Sequence, residues 1–168
     1  MTDQNKSDQD KYGKYSGIIN KATWAAGGIG VPGALFFGLD VTVMAGIWAT
    51  MILSIADKSG REIDKTWAAK VASGVATGIA AYVGGSKLAV GILGWIPVVG
   101  WIPAMAVNST LNAWFTRNLG HAMVDMFERE NFEFTDVSNA VSIILTSMGG
   151  DKIKGQVQDV MAGKPFPS

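Results

Sequence analysis

The chain contains no cysteine and a single histidine. Without cysteine there can be no disulfide scaffold, no thiolate metal site and no cysteine nucleophile. With His121 alone, a multi-histidine metal site is excluded too. Charge is also scarce. Charged residues are 17% of the 168, against roughly 25% in soluble domains. Lys plus Arg and Asp plus Glu are equal at 14 each, so no net charge draws nucleic acid, and no nucleic-acid partner is expected. No stretch alternates apolar and polar with period two, so no sheet is expected. The length is that of one domain.

Glycine is in excess, with 21 residues, about twice its ordinary share of ~7%. Long uncharged runs are the second excess. Between Ser16 and Ala56 only Lys21 and Asp40 carry charge. A polar cluster follows, made of Asp57, Lys58, Arg61, Glu62, Asp64, Lys65 and Lys70. Residues 71–86 and, after Lys87, 88–116 are uncharged. The two apolar blocks on either side of the cluster each exceed the ~20 residues that cross a bilayer as one helix. Yet each is interrupted in its apolar middle. Gly27-Gly28-Ile29-Gly30-Val31-Pro32-Gly33 breaks the first, and Gly94-Trp95-Ile96-Pro97-Val98-Val99-Gly100-Trp101-Ile102-Pro103 the second. Proline removes a donor and disfavours helix in the residue before it. Both breaks therefore read as apolar turns, with Gly30, Pro32, Gly33, Trp95, Pro97, Trp101 and Pro103 entering a membrane.

The pattern predicts an all-α chain with helices at about 16–26, 34–58, 61–83, 87–94, 103–128, 136–148 and 151–162. Ser59-x-x-Glu62 matches a capping box for the third, and Thr135 is the expected cap of the sixth. Residues 1–15 hold polar and charged side chains and read as a mobile tail, without the apolar centre of a secretory signal. Residues 16–130 read as an apolar helical-hairpin domain and 131–168 as C-terminal amphipathic helices. In the sixth helix Val137, Ala140, Val141, Ile144, Leu145 and Met148 form one apolar stripe. Ile153, Val157, Val160 and Met161 repeat it more weakly.

Few residues point to chemistry. Gly28-Ile29-Gly30-Val31-Pro32-Gly33 is a literal G-x-G-x-x-G, but no strand precedes it and Pro32 removes a cradle amide, so an apolar turn is the better reading. No Ser/His/Asp set is coupled, and no catalytic residue, cofactor or metal is expected. Gly74 and Gly78 form a G-x-x-x-G. Asn108, Asn112, Thr116 and Gly120 recur every four residues as a small, polar stripe. Both read as helix-packing or oligomer seams, since small residues let helices approach closely. A pore lining is the alternative for the second. Asp40 sits in an apolar helix, where an unpaired carboxylate costs several kcal/mol, and Arg117 is its expected partner. Trp24, Trp67, Trp95 and Trp101 lie near predicted helix ends, as interfacial anchors do.

The segment Gly30-Val31-Pro32-Gly33, Asp40, Met51-Ile52 and Gly60 resembles the first signature of a bacterial membrane-protein family catalogued as domain of unknown function 697. Ile96-Pro97-Val98-Val99-Gly100, Asn108, Asn112, Thr116, Leu119-Gly120 and Phe127-Glu128 resemble its second signature. The resemblance covers about residues 18–130. It implies membrane location and a helical fold, and, because relatives often carry this region behind a GTPase domain, a separate GTPase partner.

Together these features give the expectation of a non-enzymatic, bacterial inner-membrane protein on the cytoplasmic face. Its two hairpins, the first two helices and the third with the fifth, insert their turns in the lipid bilayer. It self-assembles as a scaffold. A pore-forming oligomer and a soluble helical regulator of a GTPase are the alternatives.

Overall fold

The computed structural model describes residues 3–28, 37–85, 101–129 and 136–149. Among them are five α-helices and no strand: α1 (Asp3–Gly28), α2 (Phe37–Lys58), α3 (Lys65–Gly85), α4 (Trp101–Phe127) and α5 (Val137–Met148). The all-α expectation holds. The expected helices at 87–94 and 151–162 lie outside the described residues. Among the described residues, no helix is long and apolar enough to cross a membrane.

Helix ends follow local chemistry. Lys58 ends α2 in a Schellman motif. Gly60 adopts φ 70°, its N–H donates to Asp57 C=O and that of Arg61 to Ala56 C=O, at 3.0 and 2.9 Å. Glycine enters this left-handed conformation without a Cβ penalty. Ser59 therefore closes α2 and does not cap α3, correcting the capping-box expectation. Asp64 takes that part, accepting the Thr66 N–H at 3.1 Å. The cap of α5 is Asp136, which accepts the Ser138 N–H at 2.8 Å, one residue beyond the expected Thr135. Gly149 ends α5 at φ 51°.

The reading of residues 1–15 as a mobile tail is corrected. Helix α1 begins at Asp3 and runs unbroken to Gly28. Tyr15, Ile19, Ala22 and Ala26 are all buried, and with Tyr12 they recur at steps of three and four, a core-facing seam. The first two helices pack on each other, as the first expected hairpin has them, but the expected pairing of the third helix with the fifth is not seen among the described residues. α1 packs chiefly along α4 and α2 along α3, α5 closes on α3, and α3 makes no more than incidental contact with α4. The close-approach faces explain this. A Cβ on Gly120 would meet Ile19 of α1 at 2.8 Å, and Cβ atoms on Gly74 and Gly78 would meet Val141 and Leu145 of α5 at 2.8 and 2.6 Å. The glycine faces of α4 and α3 are thus taken by other helices.

Directions follow from these contacts. Gly27 lies against Ser109 and Ala113, and Tyr12 against Asp125, so α1 and α4 are antiparallel. Trp48 meets Thr116 and Arg61 meets Phe127, so α2 and α4 are parallel. α3 returns along α2, and α5 runs with α3.

Candidate functional site

These directions collect like with like. One end of the bundle gathers the middle of α1, the C-termini of α2 and α4, the 59–64 turn and the starts of α3 and α5. It holds Lys11, Lys14, Asp57, Lys58, Arg61, Glu62, Asp64, Lys65, Asp125, Glu128, Arg129 and Asp136. The opposite end gathers Gly28, Phe37, Gly85, Trp101 and Gly149. In the half of the bundle leading to it, Lys21 and Asp40 are the charged residues among those described. Residues 29–36 and 86–100, which hold Gly30, Pro32, Gly33, Trp95 and Pro97, both leave from this end. They lie outside the described residues. Trp101 and Pro103 fall in the first turn of α4.

Two large apolar side chains are exposed on the helices leading to that end. Trp24, one turn before the end of α1, is 82% exposed, and Val43, near the start of α2, is 50% exposed. Trp67 is half-buried at the other end, whereas Trp48 and Trp114 are core residues.

The charged end is knit by polar contacts that the sequence did not single out. Buried Tyr15 donates its hydroxyl to Glu128 Oε1 and also contacts Ser59 Oγ at 2.9 Å. Lys14 Nζ reaches Glu128 at 3.4 Å. The Tyr15 hydrogen bond, and then Lys14, hold the Glu128 carboxyl below its ordinary range. Lys11 Nζ meets Asp125 at 2.5 Å, and the Tyr12 hydroxyl donates to both Asp125 oxygens at 2.9 and 3.1 Å. The Tyr12 ring stacks on His121 at 4.4 Å. Burial pushes the His121 imidazole down, Arg117 adds to this and Asp125 opposes it. Arg61 Nε donates to Phe127 C=O at 3.0 Å and Nη2 to Arg129 C=O at 2.8 Å, giving the C-terminus of α4 a cation from another segment. These groups tie three elements together, and Tyr15 at their centre is closed to a substrate.

The polar stripe of α4 faces inward. Thr116 is fully buried, accepts the Trp48 indole N–H at 2.8 Å and donates to Asn112 C=O at 2.7 Å. Gly120 carries Ile19. A water-filled lining would leave Thr116 exposed. Asn112 Nδ2 and Thr23 Oγ1 are buried without a hydrogen-bond partner among the described residues. The side chain of Asn108 is outside the described set. The Asp40 side chain lies outside the described set as well, and with it the expected Asp40–Arg117 pair.

Among the described residues no group of three or more His, Asp or Glu stands where it could hold a metal ion. No family model, curated protein or solved structure matches the chain.

Proposed function

We propose that the chain is a non-enzymatic, membrane-associated structural protein of the cytoplasmic face of a bacterial inner membrane. In this reading it seats the apolar end of its bundle in the bilayer and self-assembles. The observation that carries the reading is the polarity of the bundle. Two Gly/Pro segments, the uncharged 29–36 and 86–100, whose one charge is Lys87, both leave from one end, the exposed Trp24 and Val43 lie beside it, and most of the charged residues collect at the other. An apolar surface exposed beside a polar body marks a protein or membrane contact, and tryptophan favours the interface of a bilayer. The seat is shallow in this reading, at the ~5–10 Å depth of interfacial elements, in keeping with described helices none of which is long and apolar enough to cross a membrane. Self-assembly draws support from Ala69, Ser73 and Thr77, an exposed small-residue row on α3 of the kind along which helices associate in lipid.

Flotation with phospholipid vesicles, followed by a carbonate wash, tests the reading. The wild-type chain is expected to float. Trp24→Asp combined with Val43→Asp is expected to stay at the bottom of the gradient while its melting changes little, because both side chains are exposed. Equal flotation of the double variant would remove this end as the seat.

A further inference from the structure

Helices α1 and α2 leave a groove between them of about 370 Å³, within the ~300–1,000 Å³ of small-molecule sites. Ala22 and Met51 are its buried floor, and Ile18 and Ile47 its half-buried walls. The two helices run antiparallel, so Ala25 and Ile47 mark its end nearer the apolar pole, and Gly17 and Ser54 its end nearer the charged pole. Nothing lies within 4 Å of where a Gly17 Cβ would stand.

The polar lining is sparse and of one sign. Thr50 and Ser54 donate their hydroxyls to carbonyls one turn back in α2, Gly46 and Thr50, at 2.9 and 2.8 Å. Lys21 is exposed, is the one charged residue of the lining and makes no hydrogen bond or ion pair among the described residues. The groove is thus an apolar slot with a cation on its rim and no carboxylate to neutralise it. The apolar end of α1 lies seven residues beyond Lys21, roughly 10 Å away. Seating that end at interfacial depth sets Lys21 level with the headgroups.

We propose that the groove holds an acyl chain of an anionic phospholipid, with the Lys21 ammonium pairing the lipid phosphate. The tail lies along Ile18, Ala25 and Ile47 toward the apolar end. The inference rests on the membrane reading above and names its lipid. A second copy of the chain fits this groove poorly, because a two-fold pairing would bring two Lys21 ammonium groups together at its centre.

The test uses the full chain on vesicles doped with a phosphatidylglycerol carrying a diazirine on its acyl chain, or with the matching phosphatidylcholine. Adducts are mapped by mass spectrometry, and flotation is read on the same samples. Adducts are expected on residues 17–25 and 47–54, about five-fold more with phosphatidylglycerol, the weight of one lysine near an anionic surface. Lys21→Gln should remove that preference, and Lys70→Gln, on α3, should leave it. Gly17→Phe fills the slot and should abolish the adducts without lowering the melting or changing flotation. Should Gly17→Phe lower the melting, the Lys21→Gln comparison decides alone. A chain that floats yet carries its adducts elsewhere, or keeps the phosphatidylglycerol preference in Lys21→Gln, overturns the groove and leaves the membrane reading standing. A chain that does not float overturns both.

Discussion

Two kinds of glycine in the same bundle should respond oppositely to one added methyl group. At Gly120 the new Cβ would stand 2.8 Å from Ile19 Cγ1 and 3.2 Å from both Cδ1 and Cγ2. Ile19 is 2% exposed and β-branched, which leaves it one favoured χ1 rotamer in a helix. It therefore cannot turn aside. At Gly17 the same Cβ meets nothing within 4 Å. Replacing glycine by alanine inside a helix gains about 1 kcal/mol in either case. Overpacking costs about 1–3 kcal/mol, and it applies at Gly120 alone. Gly17→Ala should therefore stabilise by about 1 kcal/mol, and Gly120→Ala should be neutral to about 2 kcal/mol destabilising. For a chain of this length 1 kcal/mol moves Tm by roughly 2–4 °C. Thermal melts followed by far-UV circular dichroism should show Gly17→Ala rising by that much and Gly120→Ala unchanged or lower. Gly13→Ala, equally open, should follow Gly17→Ala. An equal rise at Gly120 would refute the close approach of α1 and α4.

Thr116→Val would strand the buried Trp48 indole N–H and should cost about 1–3 kcal/mol, whereas Thr116→Ser should keep most of the stability; urea unfolding of both checks this. Acid should weaken the fold in two windows. Glu128 is held below its ordinary value of about 4.3, so its contribution is present above that pH and is lost as pH falls through the lower folded value. His121 is also held below its ordinary value, so above about 6.5 it carries no penalty, and the cost of charging it in place grows as pH falls toward its lower folded value. Melting temperature against pH should lose its lower step in Glu128→Gln and its upper step in His121→Gln.

Much of the helical architecture could be read from sequence, because spacing alone encodes it. The stripe from Val137 to Met148 buries Ala140, Ile144 and Met148, and Gly74, Gly78 and Gly120 are points of close approach. Which helix fills each glycine face is a matter of tertiary register, and spacing within one helix does not encode it. That is why α3 was expected against α4. The charged first 15 residues hid a helix for a related reason. The Tyr12, Tyr15 and Ile19 steps carried a helical signal, but its support comes from Asp125, Ser59 and Glu128, distant in sequence. The α1–α2 groove needs both helices in place and left no mark in sequence beyond the lone Lys21.

The central claim is that the apolar end of the bundle faces lipid. The chain has no native cysteine, so single cysteines at Trp24, Val43, Glu62 and Lys65 can each carry an environment-sensitive nitrobenzoxadiazole. All four positions are exposed. On vesicles containing acyl-chain nitroxides, the account predicts blue-shifted, quenched emission at positions 24 and 43, and water-like, unquenched emission at 62 and 65. Equal quenching at all four positions, or quenching at 62 and 65 alone, would contradict it.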